Sequence, residues 1–142
     1  MKDELFVECT ESNTDDLAET CLRLGEKAMS EENNLNEALK YFIRAVEIKP
    51  DYADALNNLG VVLWSKNELE NALTYLNRAY VLDRNNPLYV GNLFDLLVKL
   101  NLNDKAIEIL SRYLKYNPDD DFFHLKYYES TGVVWEKEES DV

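Results

Sequence analysis

The stretch that decides the fold runs from residue 55 to residue 80 and reads ALNNLGVVLWSKNELENALTYLNRAY. Its apolar side chains recur at helical spacing over Leu56–Leu63 and again, after a polar turn, along a second stripe. This pattern predicts two amphipathic helices packed against each other. Gly60 and Ala72 are small, which allows the close approach that such a pair requires.

The same pattern returns every 34 residues along the chain. The recurring residues are Ala38, Ala72 and Ala106; Phe42, Leu76 and Leu110; and Arg44, Arg78 and Arg112. A fixed period of this length is typical of helical repeats, in which each unit is too small to bury its own apolar face and stacks on the next.

The period predicts further helices on both sides of the central pair. We expect them at about residues 14–30, 36–48, 87–99 and 104–116, with the second helix of the central pair at 69–82. A last helix from about residue 122 to residue 131 should stop at Gly132 and turn its polar side to water. Since Gly25 precedes Gly60 by 35 residues, the first repeat carries one extra residue in its turn.

The net charge of −13 is concentrated at the two ends of the chain. Residues 1–34 sum to −7, residues 35–117 to zero and residues 118–142 to −6. We divide the 142 residues into an acidic N-terminal segment (1–13), a helical repeat domain with a capping helix (14–131) and an acidic tail (132–142). Acidic ends would repel a phosphate backbone, so nucleic acid is not an expected ligand.

Other features of the sequence favour a cytoplasmic protein. No apolar stretch approaches the roughly 18–20 residues of a membrane helix, and the first residues lack the basic region of a secretory signal. Cys9 and Cys21 have no zinc-type spacing, so we expect reduced thiols.

The signature in the central pair resembles the tetratricopeptide repeat, and the resemblance covers about residues 18–120 in three repeats. It rests on Leu56, Leu59, Gly60, Leu63, Ala72, Leu76 and Ala79. The resemblance implies an all-α fold, an α-solenoid of three antiparallel helix pairs in a right-handed superhelix with a capping helix. Phe94 and Tyr113 replace a smaller Gly and Ala of the family pattern, so we expect a splayed third pair whose gap the capping helix fills.

In proteins that this chain resembles, a concave groove holds a peptide or a short helix of a partner protein. The corresponding residues here are Glu19, Leu22, Glu26, Met29, Asp54, Asn57, Val61, Trp64, Leu88, Asp95, Val98 and Lys99. We interpret Trp64 as the anchor; the alternative is that the protein's own tail or a second subunit covers it. The carboxylates among these residues would favour a ligand with Lys or Arg beside apolar anchors.

One subclass of the family holds the carboxylate end of a chaperone tail with a clamp of cations and asparagines. Asn58 and Asn92 fit that clamp, but Leu22, Glu26 and Leu88 occupy its cationic places. We therefore expect no binding of that kind.

The sequence contains no pattern that points to catalysis, a cofactor or a metal. The single histidine, His124, is expected to be structural or to face solvent, and we interpret Asp119–Asp121 as the charged start of a helix rather than a cation site. We expect a protein-binding adaptor or scaffold. The main alternative is a homo-oligomer that uses the groove and the apolar ends at Leu5–Val7 and Val133–Trp135. Regulatory binding of a small molecule is a third hypothesis.

Overall fold

A computed structural model describes residues 13–31 and 33–138, and every regular element in those ranges is an α-helix. The helices are α1 (Thr14–Ser30), α2 (Leu35–Ile48), α3 (Ala53–Ser65), α4 (Leu69–Leu82), α5 (Pro87–Lys99), α6 (Asn103–Tyr116) and α7 (Asp121–Thr131). The chain divides between Ala79 and Tyr80 into two compact units. The first holds α1 to α3 and most of α4, and the second holds α5 to α7.

The helix ends that the sequence predicts are confirmed to within one residue. Short polar side chains fix four of the starts, because Asn13, Asn34, Asn86 and Asp120 each accept a hydrogen bond from a backbone N–H of the first turn. At the start of α1 the Asp15 N–H donates to Oδ1 of Asn13 at 3.2 Å.

Close contact between helices in the first unit requires glycine at two positions. A Cβ on Gly25 of α1 would collide with the ring of Phe42 of α2. A Cβ on Gly60 of α3 would lie 2.7 Å from Cγ of Leu76 and 3.2 Å from the carbonyl oxygen of Ala72, both on α4. Phe42, Leu76 and Ala72 are fully buried, so the residues that carry the 34-residue period form the core.

The turns inside the second and third helix pairs close in the same way. Asn67 and Asn101 adopt the left-handed conformation, with φ of 62° and 61°. The N–H of the residue that follows each asparagine donates to a carbonyl five residues back, at 2.9 Å after α3 and 2.8 Å after α5. This is the Schellman pattern, in which asparagine can take the place of glycine.

The turn of the first pair is longer by one residue. Asn33 has a φ of 45°, and the N–H of Asn34 reaches six residues back to the carbonyl of Ala28 at 2.8 Å. The predicted extra residue is therefore confirmed in this turn.

In the second unit, aromatic side chains join α6 to the capping helix α7. The rings of Tyr113 and Phe123 lie with centroids 4.6 Å apart, and the Tyr113 hydroxyl donates to Oδ2 of Asp120 at 2.7 Å. The Lys126 ammonium lies 5.0 Å from the centre of the Phe94 ring. Helix α7 therefore contacts both bulky residues that depart from the family pattern in the third pair.

Asp121 and Glu129 of α7 face water, as expected of its polar residues, but apolar residues of the helix do so too. Phe122, Leu125 and Tyr128 are 65%, 57% and 51% exposed, and Gly132 ends the helix with a φ of 74°, as expected. Because these three apolar residues are spaced by three, they lie along one side of the helix. Apolar residues on α7 point in every direction, so packing on α6 can bury only some of them.

Candidate functional site

A hydrogen bond between α1 and α3 lies at the centre of the candidate binding face in the first unit. Nδ2 of Asn58 donates to a carboxylate oxygen of Glu26 at 3.1 Å. Asn58 is therefore paired with an anion rather than open to a ligand's carboxylate. The expectation that no chaperone-tail clamp forms here remains a prediction.

Three carboxylates gather around Tyr52, the residue that precedes α3. Burial raises the pKa of the Tyr52 hydroxyl above 10.0, and the negative charges of Glu19, Asp54 and Glu26 raise it further, while Arg23 opposes them. Charges influence a pKa in this way only when they are near the group. Three of the four carboxylates expected on the binding face thus raise the pKa of Tyr52, and we call Glu19, Glu26 and Asp54 the acidic face.

An apolar stretch on α3 continues from the acidic face toward the end of that helix. Val61 and Trp64 lie three residues apart and are partly exposed. Asp54 and Trp64 are ten residues apart, which is about 15 Å along the helix axis. Trp64 is neither enclosed in the core nor fully open to solvent. Met29 of α1 is also partly exposed.

Two residues expected on this face lie in the interior instead. Leu22 is 7% exposed and Asn57 is 1% exposed, so neither side chain forms an open surface. Leu22 and Asn57 are 35 residues apart, which is the 34-residue period plus the extra residue of the first turn. The two residues therefore occupy the same place in the first helices of their repeats. Because α1 packs on α3, the exposed stripe of α1 is narrower than helical spacing alone suggests, and this place becomes buried.

The second unit presents a cleft between α5 and α7 with a different character. Leu88 and Val98 of α5 are exposed, as expected, and so is Lys99. Asp95 forms an ion pair with Lys126 of α7, with Nζ and Oδ1 2.6 Å apart. A cavity of about 500 Å³ lies beside this pair, and we call it the aromatic cleft. Its lining includes Leu88, Gly91, Asn92, Phe122, Phe123 and Lys126.

The Lys126–Asp95 ion pair joins α7 to α5 in the same way as the Asn58–Glu26 hydrogen bond joins α3 to α1, and we call each contact a bridge. These bridges were not predicted from the sequence. Asn58, Asn92 and Lys126 are spaced by 34 residues and occupy one place in the repeat. In the first unit this place donates to Glu26, and in the second unit it pairs with Asp95. The signal that could have revealed the bridge is the same 34-residue period, applied to polar residues.

The tail after α7 packs partly on its own unit. Nε1 of Trp135 donates to Oγ of Ser111 at 3.2 Å, and the Trp135 ring lies 5.6 Å from the His124 ring. His124 also contacts the carbonyl of Pro118 at 2.6 Å, so it has the structural role expected of it. Val133 and Val134 stay exposed. The apolar segment Leu5–Val7 lies outside the described residues.

The remaining chemical candidates have structural explanations. Asp120 caps α7 and accepts from Tyr113. Burial, together with this hydrogen bond to Asp120, raises the pKa of Tyr113 to about 12. Over residues 13–31 and 33–138 no group of His, Cys, Asp and Glu is arranged to hold a metal ion. None of the helices in those ranges is long and apolar enough to cross a membrane.

Comparison with known proteins gives the family. Two tetratricopeptide repeat family models match residues 17–87 and residues 63–126. No curated protein matches the chain in sequence.

Three solved structures illustrate the similarity in fold. The O-GlcNAc transferase of Thermobaculum terrenum is 24% identical with a TM-score of 0.70, over 85% of this chain but only 23% of that one. The first TPR of Spaghetti (RPAP3), bound to an HSP90 peptide, is 14% identical with a TM-score of 0.71, over 82% and 94% of the two chains. YrrB, a TPR protein with an unusual peptide-binding site, is 22% identical with a TM-score of 0.72. The match covers 89% of this chain and 63% of that one.

These matches confirm the all-α repeat fold predicted from the sequence. The matched residues include the central pair, with Gly60 against Leu76 and Ala72, and the helices on both sides of it. One family model covers half of the chain, and the second extends the match from residue 87 to residue 126. The chain therefore belongs to the tetratricopeptide repeat family.

Proposed function

We propose that the chain binds a segment of a partner protein that carries Lys or Arg beside apolar residues, and that this segment lies along the acidic face and the α3 stretch ending at Trp64. One observation carries the proposal: three carboxylates act together on Tyr52, and partly exposed Val61 and Trp64 follow on the same helix. Cationic side chains would meet the acidic face, and an apolar side chain would contact the indole.

Protein binding is the activity of two of the similar structures, one of them in complex with an HSP90 peptide and one described by its peptide-binding site. We extend only the binding of a protein segment to this chain. A ligand that ends in a carboxylate is disfavoured, because Glu26 stands beside Asn58 where such a ligand would need a cation.

We propose a binding role rather than catalysis, although one similar structure is a transferase. This chain spans 23% of that protein, and two polar side chains at the acidic face, Asn58 and Glu26, are engaged in a contact between helices. We also propose a cytoplasmic location, since Cys21 is a buried thiol and reduced cysteines suit a reducing compartment.

The aromatic cleft is proposed as a second area for apolar side chains of a partner. Leu88 is exposed at its edge, and the Lys126 ammonium is already paired with Asp95. This area would therefore add apolar contact without adding a charge preference.

Selection from a random peptide display library against the purified chain tests the proposal. Enriched peptides should carry Lys or Arg next to apolar residues, and raising the salt concentration should weaken their binding. Trp64→Ala should weaken binding about thirtyfold, which corresponds to about 2 kcal/mol. Val81→Ala, an exposed apolar residue of α4, is the matched control and should bind as the parent chain does.

Changing Glu19 and Glu26 to Gln and Asp54 to Asn should abolish the preference for basic peptides. Enrichment of acidic or uncharged peptides would contradict the charge preference. An unchanged affinity in Trp64→Ala would remove the anchor from the proposal.

A further inference from the structure

In the first unit, α1 and α3 carry a carboxylate near one end and an apolar side chain near the other. Glu19 lies ten residues before Met29 on α1, and Asp54 lies ten residues before Trp64 on α3. Both carboxylates are exposed, and both apolar side chains are partly exposed. Since each pair recurs after 35 residues, the two helices present the same order of charge and apolar surface. A ligand that contacts both ends therefore extends along the helices.

The distance between the charged end and the indole has two limits. Asp54 lies ten residues before Trp64, which is about 15 Å along the axis of α3. Glu26 lies nearer to the indole, because it accepts a hydrogen bond at 3.1 Å from Asn58, and Asn58 is six residues, or about 9 Å, before Trp64. A cation that pairs with either carboxylate therefore lies about 9–15 Å along α3 from the anchor.

The apolar end is short, which limits the kind of segment that fits it. Val61 and Trp64 span three residues of α3, or about 4.5 Å. Asn57, one turn before Val61, is buried and polar, and Glu26, one turn before Met29 on α1, is an exposed carboxylate. A docked helix presents apolar residues over two turns or more, at spacings of three, four and seven. This surface instead suits one apolar side chain of an extended segment.

The charged end has an excess of negative charge for a ligand cation to meet. The three carboxylates of the acidic face act on Tyr52 against the charge of Arg23. The ammonium of Lys49 lies 5.2 Å from the centre of the Tyr52 ring and pairs with Asp15, a carboxylate outside the acidic face, at 3.7 Å. A Lys or Arg of the ligand is therefore the complementary group.

We propose that the ligand is an extended segment in which Lys or Arg stands about three to five positions from the apolar residue that contacts Trp64. An extended chain advances about 3.3 Å per residue, so three to five positions cover the distance from Glu26 or Asp54 to the indole. A helical ligand rises about 1.5 Å per residue and would need about six to ten positions. The inference rests on the proposed function, because it specifies the segment that this surface binds.

The test uses the full chain and synthetic peptides that contain one Arg and one Leu in a background of Ser and Thr. Leu stands from one to about ten positions from Arg, and both orders are prepared. Chemical-shift titration of the ¹⁵N-labelled chain measures Kd. In one order, spacings of about three to five should bind about fivefold more tightly than the shortest and longest spacings, as expected of an exposed ion pair. Tightest binding at about six to ten positions would indicate a helix and overturn the proposal.

Two variants should move the preferred spacing in opposite directions. Glu26→Gln removes the nearer charge and keeps an acceptor for Asn58, so longer spacings should be preferred. Asp54→Asn removes the farther charge, so shorter spacings should be preferred. Both side chains are exposed, and thermal unfolding should show that the variants keep their fold. Val81→Ala, on α4, is the matched control and should keep the preference of the parent chain. An unchanged preference in both charge variants overturns the proposal.

The same titrations distinguish failure of this inference from failure of the proposed function. Trp64→Ala should remove the dependence on spacing, and a dependence that survives this substitution would place the anchor elsewhere and overturn the inference. Equal binding at every spacing, lost in Trp64→Ala, would overturn the spacing alone and leave the proposed function standing. Absence of binding by every peptide up to about 10 mM, a very weak affinity, would contradict both.

Discussion

The acidic face and the aromatic cleft are built on the same bridge between first helices but carry different charges. In the first unit Asn58 donates to Glu26, and in the second unit Lys126 pairs with Asp95. A neutral amide leaves the carboxylate charge in place, whereas an ammonium compensates it. The two units therefore differ in whether the residue at this place of the repeat compensates the charge of its partner carboxylate.

The aromatic residues beside the two bridges also differ in the charge of their neighbours. Lys126 lies over the rings of Phe94 and Phe122, at 5.0 Å and 5.5 Å from their centres. These contacts draw α7 onto α5 and leave the cleft largely apolar. Tyr52, in contrast, lies among carboxylates that raise the pKa of its hydroxyl.

The largest expected change in stability comes from substituting one glycine in each region, because the space around the two glycines differs. Gly60→Ala should lower the free energy of unfolding by about 1–3 kcal/mol, because the new methyl meets Leu76 and the backbone of Ala72. Gly91→Ala should raise it by up to about 1 kcal/mol, since a Cβ there lies 3.8 Å from Phe123 and alanine favours the helix. Urea unfolding of both variants measures the two changes.

The opposite signs make this pair informative about the packing of the two units. If Gly91→Ala destabilised the chain as much as Gly60→Ala, α7 would approach α5 more closely than the structure has it. Gly25→Ala serves as a further check on the first unit, because its methyl would collide with the Phe42 ring.

Two tyrosines report separately on the two regions at alkaline pH. Burial raises the pKa of Tyr113 to about 12, with the hydrogen bond to Asp120 adding to the effect. The folded pKa exceeds the unfolded value of 10.0, so this contribution to stability is fully present below pH 10 and is lost between pH 10 and about pH 12. The stability difference between the parent chain and Tyr113→Phe should shrink over that window, by at most about 1.4 kcal/mol per pH unit.

The pKa of Tyr52 should respond to salt, whereas that of Tyr113 should change little. Added salt screens Glu19, Asp54 and Glu26, so the pKa of Tyr52 should move toward 10.0. Ultraviolet difference spectra of the parent chain against Tyr52→Phe and Tyr113→Phe measure each titration. A salt-independent pKa of Tyr52 would mean that the carboxylates do not form one face.

The 34-residue period predicts most of the fold because it fixes which residues face one another. The places of Ala72 and Leu76, the ends of α5 and the extra residue of the first turn all follow from it. Within the candidate site, the sequence also predicts the acidic residues, since Glu19, Glu26 and Asp54 all raise the pKa of Tyr52.

Helical spacing does not predict exposure, which depends on the neighbouring helices. Asn57 belongs to the stripe of α3 that the spacing marks as open, yet it is buried. Leu125 occupies the equivalent place in α7 and is 57% exposed. The same place can thus be core or surface depending on what stacks on it.

The left-handed asparagines should behave alike in both units. Asn67→Ala and Asn101→Ala should each lower the free energy of unfolding by about 1 kcal/mol, because a Cβ disfavours a φ near 60° and asparagine tolerates it. Asn67→Gly and Asn101→Gly should have little effect, since glycine adopts this conformation readily. Thermal unfolding compares the two pairs, and a cost in only one unit would show that the turns are not equivalent.

The smallest expected change in stability belongs to the bridge residues themselves, and it tests the comparison most directly. Asn58→Lys should change the free energy of unfolding by less than about 1 kcal/mol, since an exposed ion pair contributes little. It should nevertheless lower the pKa of Tyr52 and weaken binding of basic peptides, because a cation would then stand beside Glu26 as Lys126 stands beside Asp95. Lys126→Asn should leave Asp95 uncompensated, while Lys126→Arg, the matched control, keeps the charge. If Asn58→Lys left both the Tyr52 titration and peptide binding unchanged, the identity of the bridge residue would not set the charge of the face.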